Sequence, residues 1–314
     1  MPLASIGVSL TASLRHGQLD VQALKQDAQR IEQLGYDGIW SGDHIIMYNP
    51  MLDVMTVLAT YAAVTERVHI GTAVYLVPLR HPIAIAKQIT SLDLLSGGRF
   101  IFGVGVGGEI KKEFEAVGVP VTERGRRTDE GLDIITRVLS QDHVTYEGKI
   151  FNIEDVTLAP RPVQQPHPPI WVGGRSEAAM RRAARYGSCW LGYLNSVSQV
   201  RDAMRRIRDT APAYGREAAD IAGGVLMFTA IDKDYESAKQ RAIADLSKRY
   251  NQPFEKLVER YCVMGTPAQC VEQIQAYMEA GMTHLVFNFT GSQEQMRQQV
   301  ECGAAEVLPR LRAL

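Results

Sequence analysis

Strand-like and helix-like segments alternate along this sequence from one end to the other, and this alternation limits the possible folds more than any other feature. The strand-like segments are short and apolar, and the helix-like segments repeat apolar residues every three or four positions. Eight strands are predicted, at residues 3–10, 36–40, 68–77, 100–106, 169–172, 189–191, 224–231 and 283–288. Each is followed by at least one helix, which is the pattern of an α/β protein with a (β/α)8, or TIM, barrel.

Two connections are too long to be a single helix and its loops. Residues 107–168 follow the fourth strand and contain a predicted helix at 128–139 and a hairpin, and residues 232–265 follow the seventh strand and are predicted to be largely helical. We therefore predict one barrel domain over residues 1–314 with insertions after strands 4 and 7. A doubly wound sheet is the alternative, but the turn Leu10-Thr11-Ala12-Ser13 lacks the glycine-rich fingerprint usual in such sheets.

Composition narrows the class of protein. Of 314 residues 46% are hydrophobic, which is enough for a large core. Lys and Arg total 34 and Asp and Glu total 35, so nothing indicates the basic surface of a nucleic-acid-binding or membrane-binding protein. The start has no secretion-signal pattern, and the four cysteines are scattered. We expect a cytoplasmic enzyme with a small-molecule substrate and neither nucleic acid nor membrane as partner.

Polar residues directly after the strands are the candidates for catalysis, because chemistry in such barrels lies at the C-terminal ends of the strands. Asp43 and His44 follow the second strand, and Glu109 follows the glycine-rich end of the fourth. Glu109 is a candidate general acid, and His44 a candidate proton carrier. A capping aspartate, a surface histidine and a solvated glutamate are the alternative interpretations. The seven histidines show no metal-binding spacing, so no metal is expected. No Gly-x-Ser-x-Gly motif occurs, so the sequence gives no sign of a nucleophilic serine.

A phosphate site is predicted after the fifth strand. Gly173 and Gly174 precede Arg175, and Ser176 is positioned to cap the next helix. Backbone N–H groups, a helix N-terminus and a guanidinium together suit a phosphate group. An ordinary helix cap after a tight turn is the alternative.

Seven segments together resemble the bacterial luciferase-like superfamily of (β/α)8 flavin- and deazaflavin-dependent oxidoreductases. They are residues 35–44, 68–74, 80–82, 96–100, 103–109, 123–127 and 169–174. The resemblance covers nearly the whole chain. It implies a planar cofactor ring across the C-terminal end of the barrel, with a non-prolyl cis peptide bond at Ala73–Val74 supporting it. The cofactor-binding residues that it implies are Thr72, Ala73, Val74, Gly107, Gly108, Gly173, Gly174, Arg175 and Ser176.

The resemblance also implies two possible cofactors. Asp43-His44 and Gly107-Gly108-Glu109 are similar to the pattern of the deazaflavin-dependent dehydrogenases, which favours hydride transfer with coenzyme F420. An FMN-dependent monooxygenase, supplied with reduced flavin by a separate reductase, is the alternative, and a non-catalytic flavin-binding relative is the second alternative. In the F420 interpretation His44 stabilises the oxygen or double bond of the substrate or exchanges a proton with it. Asp43 orients His44 or caps the next segment, and Glu109 donates or accepts a proton.

The substrate is predicted from the ends of the later strands. Those ends carry apolar or neutral residues, which favours a neutral or weakly polar organic molecule over a sugar phosphate. Trp40, Tyr193 and Phe289 are the predicted substrate-pocket residues. The resemblance further implies a homodimer.

Overall fold

The computed structural model describes residues 3–12 and 19–314, so Ser13, in the first strand–helix turn, lies outside the described residues. The strands are β1 Ser5–Ser9, β2 Gly38–Ser41, β3 His69–Thr72, β4 Tyr75–Leu76, β5 Phe100–Gly105, β6 Val144–Glu147, β7 Asn152–Val156, β8 Ile170–Gly173, β9 Cys189–Tyr193, β10 Ala222–Ile231, β11 Cys262–Gly265 and β12 Met282–Phe289. The helices are α1 Val21–Gln33, α2 Val54–Val64, α3 Pro82–Leu95, α4 Lys111–Ala116, α5 Arg124–Ser140, α6 Glu177–Tyr186, α7 Val197–Thr210, α8 Tyr235–Tyr250, α9 Glu255–Tyr261, α10 Pro267–Glu279, α11 Gln293–Cys302 and α12 Leu308–Arg312.

Eight of these strands close into a parallel barrel. Their order is β1-β2-β3-β5-β8-β9-β10-β12, and β12 pairs back onto β1. Val8 faces Ile39 of β2 on one side and Phe287 of β12 on the other, so no edge remains open at the first strand. The predicted α/β barrel is confirmed. No helix in the described part of the chain is long and apolar enough to cross a lipid bilayer.

Local signals set the helix starts as expected. The Asp20 side chain accepts a hydrogen bond of 2.9 Å from the Ala23 N–H at the start of α1. Thr266 and Ser292 form complete capping boxes at the starts of α10 and α11. These caps fix where each helix leaves the barrel.

Both predicted insertions are present. The first contains α4, α5 and an antiparallel hairpin of β6 and β7. The second contains α8 and α9, but it also contains β11, which pairs in parallel with the C-terminal half of β10. The prediction of a largely helical segment missed β11 because Cys262–Gly265 is only four apolar residues between two helices, too short to show a period of its own.

Large side chains fill the inside of the barrel. Trp40 and Trp171 stack with ring centroids 4.3 Å apart, among the buried side chains of Ile101, Leu191 and Val286. Gly71 makes room for this stack, because a Cβ there would lie 2.2 Å from the Trp40 ring. The interior is therefore solid, and open space for a ligand is at the C-terminal ends of the barrel strands, called the mouth below.

Candidate active site

A bulge interrupts the third barrel strand at the mouth. A cis peptide bond joins Ala73 to Val74 after β3 ends, as the family resemblance implies, and the strand resumes as β4. The Val74 side chain lies over the two neighbouring strands: a Cβ on Gly105 would be 2.4 Å from Val74 Cγ2, and one on Gly173 would be 2.8 Å from Val74 Cγ1. Glycine at these two positions therefore lets the bulge turn inward and form a half-buried apolar platform.

The other glycines of the fourth barrel strand also make room for protein atoms. A Cβ on Gly103 would be 1.8 Å from the Thr72 carbonyl oxygen, and the Thr72 hydroxyl donates a 2.7 Å hydrogen bond to the Gly103 carbonyl. Gly108 has φ +116° and lies against the Arg124 side chain. Gly107, with φ +58°, turns the chain away from the strand. Thr72 is fully buried, so its part in any cofactor site is to hold the bulge in register.

Asp43 forms an ion pair with Arg80 and makes no hydrogen bond to His44. Its carboxylate accepts hydrogen bonds of 2.6 and 3.0 Å from the Arg80 guanidinium and one of 3.0 Å from the Leu76 N–H. The Asp43 side chain is fully buried, whereas the Arg80 side chain is 18% exposed. Asp43 thus ties the end of β2 to the strand after the bulge. Of the two roles predicted for Asp43, orienting His44 does not fit this geometry, and the backbone N–H that the carboxylate binds belongs to Leu76 and not to the next segment.

His44 contacts a different carboxylate, that of Glu113. His44 Nδ1 lies 3.2 and 3.3 Å from the two Glu113 oxygens, and the Ile45 N–H donates to the same carboxylate at 3.2 Å. Glu113 is fully buried in the first turn of α4, and the His44 side chain is 21% exposed. Because consecutive residues of an extended chain point to opposite sides, Asp43 and His44 reach separate partners.

The charge state of His44 follows from this partner. Burial by itself lowers the pKa of His44, but the hydrogen bond and the negative charge of Glu113, with smaller contributions from Glu109 and Asp43, leave the pKa raised. His44 is therefore a cation over a wider pH range than a free imidazole, and its Nε2 takes no part in the contact with Glu113.

Replacing Glu113 by glutamine is expected to lower the pKa of His44, because the charge is lost while the burial remains. In the wild type the pKa lies above its ordinary 6.5, so the interaction stabilises the fold fully below that pH and is lost as the pH rises through the raised pKa. NMR titration of the His44 ring measures this. Glu115→Gln, an exposed position on the same helix, is the matched control, and an unchanged His44 titration in Glu113→Gln contradicts the assignment.

Glu109 lies at the rim of the mouth and is exposed to solvent. Its charge acts on His44 on one side and on Tyr193 and Tyr250 on the other. Tyr193, at the end of β9, and Tyr250, at the end of α8, form a short hydrogen bond between their hydroxyl groups. Burial, reinforced by Glu109, raises the pKa of both tyrosines, so both stay protonated and neutral. His44, Glu109 and Tyr193, predicted separately, are therefore gathered at one mouth.

The predicted phosphate site has the expected local geometry. The Ser176 side chain accepts a hydrogen bond of 3.2 Å from the Ala179 N–H and caps α6. Gly174 has φ +120°, and its carbonyl accepts a hydrogen bond of 2.9 Å from the Trp190 ring, which fixes the turn. Arg175 is exposed beside it. The first N–H groups of α6 and the guanidinium are thus available to an anion next to the Val74 platform.

Two predicted substrate-pocket residues do not line the mouth. Trp40 is 2% exposed and stacks on Trp171 inside the barrel. Phe289 is also 2% exposed, and its side chain packs on the outer face of the barrel with Phe287. Alternation along β12 turns Asn288 inward instead. The prediction is corrected at both positions, and Tyr193 as a substrate-pocket residue stays a prediction.

Glu113, Tyr250 and Arg249 are site residues that the sequence analysis missed. Glu113 lies four residues after Glu109 and directly before the buried Phe114. Its position beside an apolar residue is the sequence signal for a carboxylate on the inward face of a helix. Arg249 donates a hydrogen bond of 2.9 Å to Asn288 at the end of β12. Tyr250 and Arg249 come from the second insertion, and local sequence gives no signal that α8 reaches the mouth.

Comparison with known proteins identifies the family. The model of the luciferase-like monooxygenase family matches residues 5–284. This chain therefore belongs to the luciferase-like monooxygenase family.

Individual relatives have two kinds of activity. The F420-dependent glucose-6-phosphate dehydrogenase of Kineococcus radiotolerans is 30% identical over 91% of this chain and 91% of that protein. The FMNH(2)-dependent dimethylsulfone monooxygenase of Pseudomonas putida is 30% identical over 83% of this chain and 78% of that protein. The crystal structure of the monooxygenase RslO1 from Streptomyces bottropensis superimposes with a TM-score of 0.85, at 25% identity, over 98% of this chain and 99% of that one.

Proposed function

We propose that this protein is an oxidoreductase that transfers a hydride between coenzyme F420 and a neutral or weakly polar small organic molecule. The observation that carries the proposal is the His44–Glu113 pair at the mouth, beside an apolar platform and a phosphate-binding turn. Similarity to an F420-dependent dehydrogenase over nine-tenths of both chains supports it.

The residues at the mouth fit a deazaflavin. Ala73 and Val74 form a half-buried apolar surface that suits a flat ring, and the first turn of α6 with Arg175 and Ser176 suits the phosphate of its tail. When bound, F420 supplies a carbon that donates or accepts a hydride, and the protein has only to position the substrate and the protons around it.

The side chains of this protein would supply those protons. With Nδ1 held by Glu113, His44 Nε2 is the atom that exchanges a proton with a substrate oxygen. Glu109 is the second proton-transferring group, at the rim of the same mouth. Asp43 has a positioning role, because its carboxylate pairs with the Arg80 guanidinium and accepts a hydrogen bond from the Leu76 N–H.

The charge at the mouth supports a substrate without a phosphate. Arg249 lies near the end of β12, but its guanidinium is paired with Asp245 at 2.5 Å. Tyr193, which faces the mouth, is neutral.

An FMN-dependent monooxygenase is the second candidate function. The similarity to the dimethylsulfone monooxygenase favours it, and it would require reduced flavin from a separate reductase. The platform and the phosphate-binding turn suit FMN as well as F420. In either case we expect a cytoplasmic homodimer.

Titration of the purified protein with F420 and with FMN, followed by cofactor fluorescence, tests the proposal. Binding of F420 more tightly than FMN is the expected result. Binding of FMN alone selects the monooxygenase, and binding of neither rejects both functions.

Glu109→Gln is expected to lower turnover about 10²-fold, since a positioned acid or base contributes that much or more. Affinity for the cofactor should stay within about twofold, because glutamine keeps the size and polarity of this exposed side chain. Steady-state kinetics and cofactor titration measure the two effects. Turnover equal to that of the wild type would remove Glu109 from the mechanism.

A further inference from the structure

Asn288 is the last inward-facing residue of β12, at the mouth. Val286, two positions earlier, packs inside the barrel, and side chains alternate along a strand, so Asn288 faces the same way. The register between β1 and β12 brings Ser9 of β1 beside Asn288. Both residues are half-buried, and both line a cavity of about 230 Å³ between these strand ends and helices α1 and α11. The ends of β1 and β12 therefore present polar groups to open space.

Arg249 fixes which way the amide of Asn288 is turned. Its guanidinium donates a hydrogen bond of 2.9 Å to Asn288 Oδ1. Because an arginine side chain has only donors, the oxygen of the amide must face it, and Nδ2 with its two protons is turned away. The ion pair with Asp245 and a contact of 5.5 Å with the Phe228 ring hold the guanidinium in place. Arg249 thus positions Asn288 and leaves its donor to a ligand.

This donor is both unpaired and accessible. Within residues 3–12 and 19–314, Asn288 Nδ2 has no acceptor. Over these ranges the buried side-chain nitrogen and oxygen atoms that lack a partner are Thr90 Oγ1 and Arg249 Nε, so Asn288 Nδ2 is not among the atoms closed off in the interior. The hydroxyl of Ser9, which also has no partner in the described residues, is accessible for the same reason. A fixed donor and a neighbouring hydroxyl facing one cavity suit a hydrogen-bond acceptor.

The surroundings favour an uncharged acceptor. Arg249 is paired with Asp245, so little net positive charge is available to a carboxylate or a phosphate. Four other charged residues of the cavity pair with each other between α1 and α11: Asp27 with Arg297, and Arg30 with Glu301. Leu10, Leu24 and Phe289 supply apolar surface to the same cavity. A carbonyl, ether or hydroxyl oxygen on a largely apolar molecule meets these conditions.

The position of Asn288 separates this acceptor from the reacting group. In the closed barrel β12 is the fourth strand from β5 in either direction, so the two strands lie across from each other. His44 is turned toward Glu113 of α4, the helix that follows β5. An oxygen held by Asn288 therefore lies on the side of the mouth away from the His44–Glu113 contact.

We infer that Asn288 determines substrate specificity by donating a hydrogen bond from Nδ2 to an uncharged oxygen of the substrate that takes no part in the reaction. The inference rests on the proposed function for the location of the substrate at the mouth. Arg249 is a positioning residue, because it acts through Asn288. The substrate is accordingly expected to carry two oxygen atoms, one that reacts near His44 and one that binds at Asn288.

Side-chain NMR of the wild type tests the location of this site. The chain has five asparagines, so protein labelled with ¹⁵N-asparagine gives five side-chain amide groups to follow. Titration with cyclohexanone or cyclohexanol should shift the Asn288 amide in a saturable way. The amide of Asn152, exposed on the β6–β7 hairpin, is the internal control and should not move. Asn288→Asp assigns the signal by removing it.

The same variant tests the donor. Its aspartate keeps an oxygen for Arg249 but has acceptors where Nδ2 was, so it can receive a hydrogen bond from an alcohol and cannot donate one to a ketone. The dissociation constant for cyclohexanone, measured by isothermal titration calorimetry, should rise about tenfold relative to that for cyclohexanol. A purely structural effect would weaken both probes equally. Asn152→Asp is the matched control, because Asn152 Oδ1 also accepts a hydrogen bond, at 3.1 Å from the Gly148 N–H.

Arg249 is tested through the same ratio. In Arg249→Met the Asn288 amide can rotate, so cyclohexanone should bind about threefold more weakly relative to cyclohexanol, the effect of losing a fixed rotamer. Lysine also only donates, so Arg249→Lys should restore the ratio of the wild type. An unchanged ratio in Arg249→Met contradicts the positioning role of Arg249.

Absence of a saturable shift at Asn288 with both probes overturns the inference, and so does a wild-type ratio of the two dissociation constants in Asn288→Asp. If that variant does not fold, the titration of the wild type decides. The probes are measured without cofactor. Failure of F420 to bind therefore refutes the proposed function and leaves the result at Asn288 intact.

Discussion

His44→Asn should lower kcat by about 10²-fold to 10³-fold, the range expected when a positioned proton-transferring group is removed. Asparagine keeps a polar side chain of similar reach but cannot exchange a proton near neutral pH. The asparagine amide can still donate a hydrogen bond to the buried Glu113 carboxylate, so that carboxylate should keep a partner. Steady-state kinetics give kcat, and fluorescence titration gives the affinity for the cofactor, which should stay within about twofold.

His143→Asn is the control for this variant. His143 lies at the start of the β6–β7 hairpin, with its side chain 79% exposed, and its loss should leave kcat unchanged. Wild-type turnover in His44→Asn would contradict the role of His44. A loss of cofactor affinity without a loss of kcat would move His44 from proton transfer to cofactor binding.

Asp43→Asn is expected to lower the free energy of unfolding by about 3 kcal/mol, because it leaves a largely buried guanidinium without its counter-charge. The asparagine can still accept from the Leu76 N–H, so the loss should come mainly from Arg80. Urea denaturation followed by circular dichroism measures the change. Asp202→Asn, which removes an exposed partner of Arg205, should change the midpoint far less.

This variant also separates two roles for Asp43. If Asp43 only braces the backbone, kcat in Asp43→Asn at low temperature, where the variant is folded, should fall by less than tenfold. If stability is unchanged and kcat falls as much as in His44→Asn, Asp43 has a direct role in the reaction.

The sequence predicted the barrel well because eight apolar segments and their capping residues are strong local signals. Asp20, Thr266 and Ser292 begin helices where expected. It predicted His44 and Glu109 as site residues because a barrel makes every strand end a candidate. What it could not predict was which side chains face each other across the mouth.

Three side chains show why. Phe289 was predicted to face the mouth, but alternation along β12 is fixed by its pairing with β1 and β10, so Asn288 faces inward instead. Arg80, the partner of Asp43, is 37 positions away in sequence. Arg249 belongs to α8 in the second insertion, and its place beside Asn288 depends on how that helix packs on the barrel. Each depends on tertiary contacts that no local pattern contains.

A crystal structure of the protein with F420 bound tests the proposed cofactor site most directly. The ring should lie against Ala73 and Val74, within reach of His44, with the phosphate of the tail at the first turn of α6. A polar cavity of about 530 Å³ lies at the opposite end of the barrel, lined in part by Arg67 and His69. Electron density for the ring in that cavity, or the phosphate away from Arg175 and Ser176, would contradict it.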